Sequence, residues 1–412
     1  MKNRKITPRR QPPLTTLLLT AALAAAPALA QEKISNGVVK IGVMNDLTGL
    51  YSDLGGKSSI DAARMAIEDF GGKVAGKPIE LVFADHQNKA DIASSRAREW
   101  FDKDHVDVIV DLVNSSAALA VAKLARDSKK LVLVSGGGST RLTNEDCSPN
   151  TIHWTYDTYS LANGTARAMV KQGLDSWYFI TADYAFGHSL EKDAGDVVKE
   201  AGGKLVGSVR HPFPGTDFSS FLLQAQASGA KVVGMANAGP DMNNTIKQAN
   251  EFGVVPKQSL AALLVFIDEI HSMGLKNTQG MYLTTGFYWD MNDQTRTFAR
   301  RFFERNKRMP NMVHAGIHSA VTHYLKAIQA VGTDDSAVVI AKMKATPVND
   351  FFAKNGRIRD DGRMMHDMYL MQVKKPSESK YPWDYYSVRQ VIPAEQAFLP
   401  VAKSVCPLLK KK

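Results

Sequence analysis

Three histidines are spaced in a way that could hold a metal ion, namely His314, His318 and His323. On a helix the first two would share a face, and such a pair is a common way of binding zinc. No carboxylate or cysteine accompanies them within this stretch to complete a set of ligands. We therefore interpret them as ordinary helix histidines and predict no metal site.

The chain carries no recognisable catalytic motif. Gly187-His188-Ser189 begins like the G-x-S-x-G turn of serine hydrolases, but Leu190-Glu191 follows, so the pattern fails. The dinucleotide-binding pattern G-x-G-x-x-G is absent after every predicted strand. The glycine-rich segment Ser135 to Thr140 lacks the lysine that a phosphate-binding loop requires. We predict a protein that is not an enzyme and that binds no cofactor.

Small polar residues follow two neighbouring predicted strands, and their types suit a carboxylate. The strands cover 106–110 and 131–134, and the helical spacing of apolar residues between them indicates a parallel strand–helix–strand unit. Parallel sheets bind ligands at the carboxyl ends of their strands, where backbone N–H groups point outward. Glycine allows close approach of the backbone, and hydroxyls add donors. A purely structural turn is the alternative. The candidate residues are Asn114, Ser115, Ser116, Gly137, Gly138 and Ser139.

Aromatic residues and one carboxylate follow the other predicted strands. This shared position predicts that they lie on loops at the same edge of each sheet, where they could cover or wall a bound molecule. Asp241, with Asn244 three residues later, is also a good helix N-cap, so its role stays open. The candidates on these loops are Tyr51, Tyr184, Phe186, Asp241, Phe287 and Tyr288.

Strand and helix patterns alternate in two separate stretches of this 412-residue chain, 38–140 and 177–252, with an aromatic-rich passage at 147–159 between them. The alternation predicts an α/β protein with two doubly wound parallel-sheet lobes. If the loop-bearing edges face each other, a cleft lies between the lobes. We expect elements after residue 268 to complete the first sheet. The predicted boundaries are 31–154 plus 269–362 for lobe 1, 155–268 plus 363–400 for lobe 2, and 401–412 for a C-terminal tail.

The first thirty residues have the composition of a secretory signal peptide. A basic start precedes an apolar run from Leu14 to Leu29, and Ala28-Leu29-Ala30 is a small-x-small cleavage pattern. Removing residues 1–30 takes away five positive charges and lowers the formal net charge from +10 to +5. The remaining positive charge is scattered apart from the Lys410-Lys411-Lys412 tail, so binding of nucleic acid is not expected.

Both cysteines of the chain, Cys147 and Cys406, lie in the part that would be exported. An oxidising compartment favours a disulfide between them, which would tie the C-terminal tail to the loop after the glycine-rich turn. Two unpaired buried thiols are the alternative.

Five segments occur in an order and spacing that carry a family resemblance: KIGVMNDLTGLYSDLG, VIVDLVNSSA, LVLVSGGGSTRLT, TADYAFG and GPDMNNTIKQANEFG. They resemble the periplasmic solute-binding proteins of ABC importers, type I fold, in the branched-chain amino-acid (leucine/isoleucine/valine) binding branch. The resemblance covers essentially the whole mature chain. It implies two lobes joined by a three-crossover hinge, with the ligand trapped between them.

The resemblance also implies roles for the candidate residues. Hydroxyls and backbone N–H groups of lobe 1, at Asn114 to Ser116 and Gly137 to Ser139, would hold a ligand carboxylate below Tyr51. Asn114 stands where a serine is expected. Tyr184 matches a pocket tyrosine of lobe 2, and Asp241 lies where amino-acid binders carry an acid for the ligand ammonium. If Asp241 instead only caps its helix, the pocket is neutral and aromatic, with Trp154, Tyr156, Phe186, Phe287 and Tyr288 as candidate walls.

The function implied is that of the periplasmic substrate-binding component of an ABC transporter. The ligand would be a small apolar carboxylate, either an aromatic or aliphatic acid or a hydrophobic amino acid. Hinge closure on the ligand would create the form that membrane permease subunits recognise, with the protein acting as a monomer. A secreted sensor that signals through its closed form is the second hypothesis, and a secreted hydrolase is the third.

Overall fold

The structure is a computed structural model that describes Met1 and residues 34–409. Apart from Met1, the predicted signal peptide lies outside the described residues, and so does the Lys410–412 tail. Within 34–409, no helix has both the length and the apolar character needed to cross a membrane.

Strands and helices alternate over most of the chain. The strands are β1 Val39–Asn45, β2 Lys73–Val74, β3 Lys77–Asp85, β4 Val108–Asp111, β5 Leu131–Val134, β6 Thr151–His153, β7 Ser176–Ala182, β8 Lys204–His211, β9 Val232–Ala236, β10 Ser259–Ala262, β11 Tyr282–Thr285, β12 Arg357–Ile358, β13 Met364–Met365, β14 Met368–Val373 and β15 Tyr386–Ile392. The helices are α1 Gly56–Asp69, α2 Ala90–Asp102, α3 Ser115–Asp127, α4 Thr158–Lys171, α5 Ala185–Glu200, α6 Ser219–Ala227, α7 Pro240–Glu251, α8 Ile267–Met273, α9 Leu275–Thr278, α10 Asp293–Asn306, α11 Met312–Val331, α12 Ser336–Ala345 and α13 Ala394–Ala397.

The first sheet has the order β2-β3-β1-β4-β5-β6 and is parallel except for β2. Strands β4 and β5 are buried along their whole length, as expected for strands covered by helices on both faces. In register, Met44 lies beside Asp111, and Asp111 lies beside Val134. The loops that follow β4 and β5 therefore begin side by side at one edge of the sheet.

The expectation that elements after residue 268 complete the first sheet is wrong. Its sixth strand is β6, a short buried segment inside the passage that the sequence pattern marked as a link between lobes. The later elements contribute helices instead, because α10 and α11 pack on α1, and α12 packs on α11. The three-residue length of β6 gave too little alternation to be recognised as a strand.

A second parallel sheet has the order β10-β9-β7-β8, and an antiparallel sheet of β11, β14 and β15 accompanies it. Strand β11 pairs with β14 and packs on α4, so 282–285 lies with the second lobe, although the sequence boundary placed it in the first. The other predicted boundaries remain a proposal. The two-lobed parallel-sheet architecture is confirmed.

Two passages between the lobes run side by side, near residues 153–157 and 361–366. His153 forms an isolated parallel bridge with Arg363 and donates its backbone N–H to the Gly362 carbonyl at 2.9 Å. Nε2 of the buried His366 lies 2.5 Å from the Thr155 carbonyl oxygen. These contacts make the two passages one connected ribbon.

The disulfide between Cys147 and Cys406 is confirmed, with Cα atoms 5.8 Å apart. It joins the region after the glycine-rich turn to the C-terminal end of the described chain. Because it closes a loop of 259 residues, it restricts the unfolded chain strongly.

Candidate ligand-binding site

The loop after β4 is built from strained backbone and leads into a helix N-terminus. Asp111 and Leu112 both have positive φ values, 86° and 60°, a conformation that non-glycine residues rarely adopt and that often marks a functional site. Asn114 then caps α3 by accepting from the Ala117 N–H at 3.0 Å, and it donates to Asn88 at 2.7 Å. The amide of Asn114 is thus committed to structural contacts. The N–H groups of the first turn, at Ser115 and Ser116, face the edge of the sheet without a carbonyl one turn earlier to accept them.

The glycine loop, residues 135–140, packs directly against that helix start. The Ser115 hydroxyl accepts from the N–H groups of Gly138 and Ser139, both at 3.1 Å. Glycine is required here because an added Cβ at Gly137 would lie 2.8 Å from the Leu112 carbonyl oxygen. An added Cβ at Gly138 would lie 2.7 Å from the Tyr156 ring. The loop is therefore buried, with its backbone packed between the loop after β4 and the rings of Tyr156 and Phe186.

Residues from the two lobes are in direct contact at this place. The hydroxyls of Tyr51 and Tyr184 are 2.6 Å apart, although 133 positions separate them in the sequence. The Ser139 hydroxyl lies 2.7 Å from that of Ser189, the latter on α5 of the second lobe. The predicted residues of the two lobes thus meet at one closed contact, which we call the crevice, and the lobes must separate for a ligand to enter it.

Six aromatic rings surround the crevice, and we call them the aromatic box. Tyr184 stacks on Phe213 with ring centres 4.0 Å apart, and Phe213 also lies 5.8 Å from Tyr51. Phe186 lies 6.1 Å from Tyr184. The members are Tyr51, Tyr156, Tyr184, Phe186, Phe213 and Phe266, and the last of them meets Tyr156 edge-on at 6.2 Å.

Sequence reasoning missed Phe213 and Phe266. Phe213 follows β8 by two residues, so the rule that placed Tyr184 after β7 would have found it. Phe266 follows β10, a strand that the sequence reading did not recognise.

The structure places three of the predicted aromatic residues outside the box. Phe287 packs edge-on against Phe298 in the core of the first lobe, with ring centres 6.2 Å apart. Tyr288 lies against Tyr386, and its hydroxyl donates to the Trp383 carbonyl at 3.4 Å. The Trp154 indole N–H donates to Ser319. They follow a strand or a crossover, as the sequence rule required, but their side chains turn into the core.

Asp241 lies in the first turn of α7, where its carboxylate is buried and does not cap its own helix. Gly239 is the N-cap, and both carboxylate oxygens accept from the Gly215 N–H, at 3.1 and 3.2 Å. Burial raises the pKa of Asp241 to about 7, against the opposing effect of that N–H. Burial raises the pKa of Tyr51 and of Tyr184, and the charge of Asp241 adds to this effect. An added Cβ at Gly239, the N-cap of the same helix, would lie 3.1 Å from the Tyr51 ring, so the start of α7 borders the box.

Two further buried carboxyls lie next to the crevice. Burial raises the pKa of Glu269 to about 8, and its charge reaches Tyr156. One oxygen of Glu269 accepts from the Phe266 N–H at 2.8 Å. Burial raises the pKa of Asp111 to about 7, and Asp111 accepts from the Asn45 amide. Near neutral pH, Glu269 is therefore mostly protonated, while Asp241 and Asp111 are about half ionised.

These raised pKa values predict that the free energy of unfolding falls between pH 6.5 and 8.5. Glu269 binds its proton more tightly in the folded protein than in the unfolded chain, whose ordinary value is 4.5. Its contribution to stability is complete below pH 4.5 and is lost as the pH rises through 8. Between pH 6.5 and 8.5 the free energy of unfolding falls by on the order of 2 kcal/mol. Burial lowers the pKa of His366 to about 4, so its titration changes stability only at lower pH and does not oppose the fall between pH 6.5 and 8.5.

Denaturant unfolding at the two pH values checks this prediction. Glu269→Gln keeps an oxygen acceptor for the Phe266 N–H and removes the titration, so the variant should show a clearly smaller loss. A wild-type protein equally stable at both pH values would contradict the assignment.

The three histidines considered for metal binding have separate partners. Nε2 of His314 lies 3.3 Å from the Gly55 carbonyl oxygen, that of His318 lies 2.9 Å from Asp69, and that of His323 lies 3.0 Å from the Met343 carbonyl oxygen. Over the described part of the chain, no group of three or more histidine, cysteine or carboxylate side chains is arranged to hold a metal ion.

Residues 38–380 match the family described as Periplasmic binding protein. The chain belongs to this family. A periplasmic binding protein from Burkholderia mallei is 53% identical, covers 91% of this chain and 100% of its own, and superposes with a TM-score of 0.90. A branched chain amino acid ABC transporter periplasmic ligand-binding protein from Burkholderia xenovorans is 40% identical over 90% of this chain and 99% of its own, with a TM-score of 0.81.

A curated relative is named as Leu/Ile/Val-binding protein homolog 6 of Brucella abortus. It is 25% identical over 386 residues, which are 89% of this chain and 94% of the relative. Solute-binding proteins of this family act in the periplasm, and they bind their ligand without transforming it. This periplasmic binding protein is therefore a substrate-binding component of the ABC-transporter class and not an enzyme.

Proposed function

We propose that this periplasmic binding protein captures a small aromatic carboxylate between its lobes and presents the closed form, as a monomer, to a membrane permease. The observation that carries the proposal is the meeting of the glycine loop with the aromatic box across the two lobes. On the loop, the Gly137 N–H and the Ser139 hydroxyl would be the donors for an anion, since the N–H groups of Gly138 and Ser139 already donate to Ser115. The box would supply flat apolar walls for a ring. A signal peptide at 1–30 belongs to the same proposal.

The carboxylate would lie at the start of α3. There the N–H groups of Ser115 and Ser116 and the partial positive charge of the helix favour an anion. Gly137 and the Ser139 hydroxyl lie on the adjoining loop and add donors. Donors that are fixed before the ligand arrives need little reorganisation on binding.

The rest of the ligand would be uncharged. A ligand ammonium needs an ionised carboxylate as its partner, because an unpaired buried charge is costly. Asp241 already accepts from the Gly215 N–H, and burial raises the pKa of Asp241 to about 7 and that of Glu269 to about 8. A ligand ring that stacks on Tyr184 or Phe213, or meets one of them edge-on, would gain binding energy beyond that of apolar burial. These features favour an aromatic acid over an amino acid.

Hydrophobic amino acids are the second candidate, since the Brucella and B. xenovorans relatives carry branched-chain amino-acid names. In that case Asp241 would be the partner of the ammonium. The carboxylate site at α3 would be the same for both ligands.

Calorimetric titration with two groups of ligands tests the proposal. Benzoate, 4-hydroxybenzoate and phenylacetate represent aromatic acids, and leucine, isoleucine and phenylalanine represent amino acids. We expect the wild-type protein to bind at least one aromatic acid more tightly than any of the amino acids. Asp241→Asn should change aromatic-acid affinity by less than about threefold, since it removes no contact to such a ligand. Asp127→Asn, at an exposed helix end, is the matched control.

Tight binding of an amino acid that Asp241→Asn abolishes would reject the aromatic-acid proposal in favour of the second candidate. Failure of both groups to bind would reject the proposed ligand class altogether.

A further inference from the structure

Arg363 is a fully buried arginine in the ribbon that joins the lobes. Its guanidinium donates from Nη1 to the Tyr156 carbonyl and from Nε to the Met364 carbonyl, both at 3.1 Å. The same group lies 4.5 Å above the ring of Phe398. One buried side chain thus holds together the passage near 153–157, the passage near 361–366 and the C-terminal segment around Phe398.

The charge of Arg363 is balanced locally. Asp157 lies 3.6 Å from Nη1, and its other oxygen accepts from the Ser160 N–H to cap α4. Asp361 accepts from the Arg363 backbone N–H and is engaged by Arg359 through Nε and Nη2, at 2.7 to 3.1 Å. In this cluster at the hinge, Arg363, Asp157 and Asp361 are buried and Arg359 is partly buried, and loss of one member leaves its partner uncompensated.

Arg363 is connected to the proposed ligand site through a single residue. The Tyr156 carbonyl accepts a hydrogen bond from Arg363. The Tyr156 hydroxyl donates to the Gly136 carbonyl in the glycine loop at 2.6 Å. The same tyrosine ring forms part of the aromatic box. The path from the hinge to the glycine loop therefore consists of two hydrogen bonds and one rigid side chain.

We propose that Arg363 is a positioning residue for ligand capture, which fixes the hinge and aims Tyr156 at the glycine loop. This inference rests on the proposed function for its effect on affinity, but its effect on the hinge can be measured without ligand. Arginine suits the role because its planar group can donate in two directions while it packs on a ring. A lysine ammonium cannot reproduce that geometry.

Arg363→Lys and Tyr156→Phe, alone and together, test the connection by titration with benzoate. Each single change should weaken binding about tenfold, the loss expected for one buried hydrogen bond. If Arg363 acts through Tyr156, the double variant should also lose about tenfold, and not the hundredfold of independent effects. Arg357→Lys is the matched control, because that arginine lies on β12, which pairs with 364–365 of the same ribbon, and it is exposed and contacts Glu395, not Tyr156 or the cluster.

Spin labels on Lys103→Cys and Lys247→Cys, one exposed site in each lobe, report the hinge in ligand-free protein. Arg363→Lys should broaden the distribution of distances between the labels, while Arg357→Lys should keep the wild-type distribution. If Arg363→Lys does not fold, Asp157→Asn replaces it, since asparagine keeps the helix cap and removes the charge that faces Arg363.

An unchanged distance distribution in Arg363→Lys, or in Asp157→Asn where it is the variant used, would overturn the proposal. Additive losses of affinity in the double variant would overturn it as well. If benzoate does not bind the wild-type protein, the proposed ligand is wrong, and the distance measurement still decides the role of Arg363.

Discussion

A Gly138→Ala variant is expected to fold and to lose at least about 100-fold in affinity for benzoate. The added Cβ would lie 2.7 Å from the ring of Tyr156 and 2.9 Å from that of Phe186. Carbon atoms do not approach so closely, and Phe186 belongs to the opposite lobe, so the lobes would be kept apart. A ligand can shift the balance between open and closed forms only by the contacts that it gains on closure. A loss of 100-fold corresponds to about 2.7 kcal/mol.

Titration calorimetry measures the affinity for benzoate, and thermal unfolding of the same samples shows whether the variant is folded. Together they distinguish a loss of lobe closure from a loss of folding. Gly195→Ala is the matched control, since the nearest atoms to its added Cβ belong to the flexible end of Leu205 on β8. It should bind benzoate like the wild-type protein. Wild-type affinity in Gly138→Ala would show that closure at this loop is not needed for binding.

Tyr184 should show the second large effect, and its ring should matter more than its hydroxyl. Tyr184→Ala removes the face that stacks on Phe213 at 4.0 Å, and we expect affinity for benzoate to fall about 100-fold. Tyr184→Phe keeps the ring and removes only the hydrogen bond to Tyr51, so a loss of about fivefold is expected.

Comparison of the two variants by calorimetry shows whether the ring or the hydroxyl of Tyr184 contributes more to binding, whatever the absolute affinity. Equal losses in Tyr184→Ala and Tyr184→Phe would mean that the hydroxyl, and not the aromatic face, dominates. Such a result would point to a polar ligand and against an aromatic one.

The proximity of the candidate residues could be predicted because the carboxyl ends of parallel strands meet at one edge. Ser115 and the glycine loop follow neighbouring strands β4 and β5, so their proximity follows from register alone. The contact between Tyr51 and Tyr184 follows from the same rule applied to two sheets that face each other.

The direction of individual side chains could not be predicted in this way. Phe287 follows β11 as the rule requires, yet its ring packs on Phe298 in the core. Asp241 lies in the first turn of α7, but it accepts from Gly215, a residue of the loop after β8. A partner that comes from another loop leaves no trace in local sequence spacing. The buried position of Arg363 likewise depends on three segments that meet only in the folded chain.

A crystal structure of the protein with benzoate bound tests the central claim most directly. We predict that the carboxylate accepts hydrogen bonds from the backbone N–H groups at the start of α3 or from the glycine loop, and that the ring lies among Tyr184, Phe186 and Phe213. A benzoate bound outside the crevice, or one whose carboxylate points away from Ser115 and Ser139, would contradict the account.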